Sequence, residues 1–143
     1  PLFLKVCNLT EPRTGLEAKF SFRLTAAMAL SGWNTASLAT FSDAACSDPE
    51  LVALRDRVRV ETRTNAAPTS ARVSVQMRSG DVRVAEHDIN AQLPVEARTR
   101  RVRAKANTLL GDEAGAHIWQ RIDAMPISNA SFRLLDLIHG NNG

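Results

Sequence analysis

Arg13, Thr14, Lys19, Ser21 and Arg23 gather three cations and two hydroxyls within eleven residues. Those residue types at that spacing suit one kind of chemistry, the grip on a small anion. Thr14 and Gly15 open a helix, where backbone N–H groups left without intrahelical partners and the helix dipole both favour negative charge. Arg13 stands just outside that end. Lys19 and Arg23 are four residues apart and would share one helix face, so an anionic ligand could be held from two sides. Lys19 is the candidate catalytic cation, and Arg13, Thr14, Ser21 and Arg23 are the candidate substrate-binding residues.

A packing role explains the same stretch equally simply. Leu16, Phe20, Leu24 and Ala27, with Phe22, Ala26, Ala29 and Leu30 on the other side, make the segment up to Gly32 apolar almost all round. A buried helix has that pattern, and its two cations need only snorkel to water.

Other groups with reactive potential lack partners at useful spacing. Cys7 and Cys46 fit neither a CxxC redox pair nor a zinc site, and read as free, reduced thiols of a cytoplasmic protein. His87, His117 and His139 have no carboxylate or cysteine at metal-ligand spacing, so no metal site is expected. A serine or cysteine nucleophile would need a histidine within hydrogen-bond reach, and no pattern pairs Ser21, Cys7 or Cys46 with one. Asp112 and Glu113 fit acids that complement a helix dipole. The isolated chain is therefore not expected to catalyse a reaction.

The elements that must position these residues follow from periodicity. Leu2, Leu4 and Val6 alternate as in a strand, and Asn8–Gly15 is a loop. After the apolar helix, Ser47-Asp48-Pro49-Glu50 predicts a helix start by cap, proline and acid, running to about Arg57. Val58, Val60 and Thr62 then alternate with charged neighbours. Val73, Val75 and Met77 repeat the pattern, Ser79-Gly80-Asp81 signals a hairpin, and Val82 and Val84 lie on the return. Pro94 starts a further helix stopped by Gly111, Glu113–Ala124 form another, and Ser128 or Asn129 caps a last one through Leu134, Leu135 and Ile138. The expected fold class is α+β: an antiparallel sheet of about four strands packed on helices over residues 1–93, followed by C-terminal helices over 94–143.

Composition agrees with a globular domain large enough to bury a core, 143 residues with 44% apolar and 23% charged side chains. No apolar run approaches the roughly 18 residues of a membrane span. Charge is unevenly placed. Twelve of the 18 Lys and Arg residues fall between Arg55 and Lys105 against six acids, which leaves that region about +6. Such a face could track a phosphate backbone. Against nucleic acid, the strands offer no aromatic side chain to stack on bases, and the chain has no Tyr. A non-catalytic binding or assembly module with a basic face for anionic partners is the alternative function.

The runs TGLEAKFSFRLTAAMALSGW, TF, SDPELVALRDRVRVE and ARVSVQMRSGD, with RVRAKANTLLG and SNASFRLLDLIHG beyond them, resemble in order and spacing the C-terminal part of the MmgE/PrpD family. That family includes 2-methylcitrate dehydratase, cis-aconitate decarboxylase and iminodisuccinate epimerase. The resemblance covers essentially the whole chain and implies a lid domain. It would close over a larger, all-helical N-terminal domain outside this chain, which would hold most of the catalytic residues. It further implies a homodimer, no cofactor, and a small polycarboxylate substrate from which a proton is abstracted beside a carboxylate. Two positions depart from the pattern. Phe20 stands where the decarboxylase and methylcitrate dehydratase branches have His, and Ser70 where the decarboxylase has Tyr, which argues against either of those substrates.

Overall fold

The computed structural model describes residues 2–125. The chain divides into two compact units, Pro1–Leu93 and Pro94–Gly143; the helix expected beyond Ser128 lies outside the described residues. In the first unit α1 spans Leu2–Val6, α2 Gly15–Ala18, α3 Phe22–Leu30, α4 Asp43–Ser47 and α5 Pro49–Arg55, with a 3-10 turn at Leu38–Thr40. Strands β1 (Ser70–Gln76) and β2 (Val82–Asp88) follow.

Helices this short do not hold by propensity alone, and each from α2 to α5 starts on a side-chain cap. Thr14 Oγ1 accepts from the Glu17 N–H at 3.2 Å, and Ser21 Oγ from Leu24 at 3.2 Å. Ser42 Oγ accepts from Ala45 at 3.2 Å. Asp48 Oδ1 accepts from both Glu50 and Leu51, at 3.0 and 2.9 Å, with Pro49 in the first turn. Helix α3 ends on Gly32, whose φ of +78° lets Trp33 N–H reach Met28 O and Gly32 N–H reach Ala29 O, a closure that glycine alone makes without strain.

These caps set the helices around one core. Leu24, Ala27 and Met28 come from one face of α3, Ala18 from α2, Ala45 and Cys46 from α4 and Leu51 from α5, with Phe41 and Leu54 packed against them. Burying a side chain the size of Leu24 or Leu51 is worth about 1.5–3 kcal/mol.

The structure corrects the expected sheet. Among the described residues there is one sheet, of two antiparallel strands, beside seven α-helices, where about four strands were expected. Leu2–Val6 is helical; a five-residue, largely apolar segment has too little periodicity to separate strand from helix. Residues 58–63 pair with nothing regular. Alternation marks a segment able to pair but supplies no partner, since pairing depends on contacts distant in sequence.

Nor is the hairpin packed on helices among the described residues of the first unit. Every residue of β1 except Val75 and of β2 except Asp88 is exposed. Its turn explains why. Met77 O accepts from Gly80 N–H, Met77 N–H donates to Asp81 O, and Gly80 has φ +92°, a three-residue loop with an extra residue bulged out. That loop pairs Gln76 with Val82 and Ser74 with Val84, and sets Val75 against Arg83 and Val73 against Ala85. Directly opposed residues share a face, so the valines of the two strands emerge on opposite faces. Neither face is apolar enough to demand a cover.

In the second unit α6 (Val95–Leu110) and α7 (Asp112–Asp123) form a helical hairpin around Gly111, φ +86°. A Cβ on Gly115 would run into the Asn107 side chain, so the two helices approach closely there. Arg103 Nη2 donates to both carboxylate oxygens of Asp123 at 2.8 Å, and its guanidinium lies 4.9 Å from the Trp119 ring centroid. No residue of α6 is buried.

Candidate functional site

The stretch expected as one helix from Thr14 to Gly32 is two helices, and the break is at Ser21. Its backbone is extended (φ −117°, ψ 103°) and forms an antiparallel bridge with Asn8. Leu9 N–H donates to Phe20 O at 3.1 Å, and Phe22 N–H donates to Cys7 O at 3.0 Å. Serine competes with the helix by offering its side chain as a cap. Lys19 therefore closes α2 and Arg23 opens the first turn of α3; they do not lie on one continuous helix face. Arg13 and Lys19 flank α2 from its two ends, which a single turn separates by roughly 6 Å.

The backbone groups at the start of α2 are not free. Glu17 Oε2 accepts from Arg13 N–H at 2.7 Å and from Thr14 N–H at 3.3 Å, which with the Thr14 cap completes a capping box. Gly15 N–H donates to Asp43 Oδ1 at 2.7 Å. The anions favoured by this turn are the chain's own carboxylates.

Helix α4 holds the other side of the same peptide group. Cys46 Sγ lies 3.3 Å from Thr14 O and donates to it, while Asp43, three residues earlier, takes the N–H of Gly15. Burial, reinforced by the Asp43 and Glu17 carboxylates and opposed by Arg55, pushes the Cys46 thiol above its usual range, so it keeps the proton it donates. Gly15 is itself buried against the Phe41 carbonyl, where any Cβ would collide.

The remaining candidates fall into two groups. Ser21 is 1% exposed and its oxygen serves α3, a placement suited to holding the turn. Arg13, Thr14 and Lys19 are exposed and Arg23 is half-buried. Among the described residues no carboxylate pairs with Arg13, Lys19 or Arg23, and the Nε of Arg23 is buried without an acceptor. An open depression of about 410 Å³ is lined by Leu4, Lys5, Val6, Asn8, Leu9, Glu17 and Phe20, and none of the three candidate cations lines it. Asn8 Oδ1 is also buried there without a donor. Buried polar atoms left unpaired are uncommon in folded proteins.

Comparison with known protein families and with curated proteins finds no match to this chain. The chemistry of the site therefore rests on its residues. Cations without carboxylate partners among the described residues can bind and orient carboxylates and stabilise developing negative charge. Among the described residues no three His, Cys, Asp or Glu side chains gather as metal ligands, and no helix is long and apolar enough to cross a membrane.

Asp43, Cys46 and Asn8 are the participants that sequence reasoning missed. Asp43 is 28 residues from the amide it accepts, and only packing brings it there. Thr14-Gly15-Leu16-Glu17, by contrast, carries a legible capping signal, a hydroxyl followed three residues later by glutamate.

Proposed function

We propose that this chain is the C-terminal lid region of an MmgE/PrpD-like enzyme. The enzyme acts on a small polycarboxylate by abstracting a proton next to a carboxylate, as a dehydratase, decarboxylase or epimerase. The order and spacing of the sequence blocks support the family. One structural observation carries the chemistry: the Glu17 and Asp43 carboxylates are committed to backbone amides, while Arg13, Lys19 and Arg23 are left without carboxylate partners among the described residues. Those three cationic side chains are thereby left to engage a ligand's carboxylates.

In this reading Lys19 supports the enolate-like charge of the transition state. Arg13, Thr14 and Arg23 hold the remaining carboxylates, and Ser21 keeps the turn in place. The acid and base groups belong to a helical domain outside this chain, and no cofactor is implied. Phe20, exposed beside the depression, offers no proton, which favours epimerase-like chemistry over the two branches that have His there. Lys19→Ala in the full-length protein should lower turnover about a hundredfold. As an exposed change it should leave stability within about 1 kcal/mol. An unaltered rate overturns the assignment.

A binding or assembly role with a basic face for anionic partners is the second reading, favoured by the exposed Arg78 and Arg83 of the hairpin. Salt-sensitive retention of the chain on a polyanion such as heparin, lost in Arg78→Ala with Arg83→Ala, would support it.

A further inference from the structure

We propose that Asp43 is the positioning residue of the anion grip, acting on Arg13 and Lys19 through the Thr14–Gly15 peptide; the inference rests on the polycarboxylate reading above. Both polar atoms of that peptide are held by α4, the N–H by Asp43 Oδ1 at 2.7 Å and the C=O by Cys46 Sγ at 3.3 Å. Of the two, the carboxylate bond is the shorter and is charge-assisted, hence the stronger.

The Asp43 carboxylate does not cap its own helix. Ser42 already does so through Ala45 N–H, and the Asp43 bond instead spans 28 residues. Behind it, α4 is anchored in the core through Ala45 and Cys46. Gly15 rests against the Phe41 carbonyl with no space for a side chain, so the turn cannot shift in that direction. Core, α4 and turn thus form one rigid path to a helix of a single turn, and that helix carries Arg13 at one end and Lys19 at the other. Without Asp43 the part-buried Gly15 N–H loses its acceptor, and both cations lose their fixed spacing. Misplacing binding groups by about 1 Å can cost a hundredfold in effectiveness.

Citrate serves as the probe, titrated calorimetrically into the full-length protein well below its melting temperature. Asp43→Ala should weaken citrate binding about tenfold or more, and Asp43→Ser should do the same, since serine tolerates the helix start but is too short to reach the Gly15 N–H. Asp43→Asn keeps an acceptor oxygen and should stay within about threefold of wild type. Asp48→Ala removes the cap of α5 without touching the turn; it should lower Tm and leave citrate affinity unchanged. Asp43 variants that bind citrate as wild type does, while Lys19→Ala does not, overturn the role of Asp43 alone. Equal weakening by Asp43→Ala and Asp48→Ala also overturns it. Wild-type protein that takes up no citrate, or takes it up equally well without Lys19, sinks the polycarboxylate reading and Asp43 with it.

Discussion

A thiol buried beside two carboxylates holds its proton, and Cys46 is such a group. Its stabilising contribution is fully present below the ordinary thiol pKa and is lost as pH rises through the raised value. Thermal unfolding followed from neutral to alkaline pH should show that decline, and Cys46→Ala should flatten it. Thiol labelling gives an independent check, with Cys46 reacting more slowly than the less buried Cys7. Gly15 invites a second test at this scale. Alanine ordinarily favours a helix over glycine, yet here its methyl would meet the Phe41 carbonyl. Gly15→Ala should therefore destabilise by roughly 1–3 kcal/mol, and a stabilised variant in chemical denaturation would show that Phe41 yields.

Among the elements, the hairpin departs furthest from expectation. Alternating valines read as an inward row, but the bulged loop at Gly80 offsets the strands by one residue and sends Val73 and Val84 to opposite faces, 53% and 49% exposed. Val84→Thr should accordingly change stability by no more than about 0.5 kcal/mol, and a loss of several kcal/mol in urea unfolding would mean a buried sheet. The far end of the hairpin is tied by Asp88, whose carboxylate accepts from Asn90 N–H at 2.9 Å. That bond, with a second from Thr69, holds its pKa below the usual carboxylate range. Its contribution is present above the ordinary carboxylate value and is lost as pH falls through the depressed one. A carboxyl carbon NMR titration should place the Asp88 midpoint below the ordinary carboxylate value.

At the scale of the whole molecule, stability is concentrated in a small helical core. Leu24 is fully buried at its centre, and Leu24→Ala should cost about 2–5 kcal/mol, several times the effect of any hairpin valine. Arg103→Ala in the other unit removes a partly exposed ion pair and a cation–π contact, worth about 1 kcal/mol. The same concentration separates what was legible from what was not. Ser47–Glu50 announced α5, Gly32 and Gly111 announced helix ends, and Pro94 announced α6, because caps and breakers act over three or four residues. The sheet was misjudged because strands need partners: Val58–Thr62 has the right alternation and no strand paired with it.

The sequence by itself determined the local chemistry of this protein: the cations at Arg13, Lys19 and Arg23, the capping sequences, and the α+β mixture. Only the tertiary structure decided how those cations stand. It broke the expected helix at Ser21, because a bridge to Asn8 and a cap on Leu24 outweighed one more turn of helix. It also delivered Asp43 to the Gly15 amide. Hydrogen bonds between residues this far apart leave no periodic trace in a chain, since they depend on which helices share a core and not on spacing along the sequence.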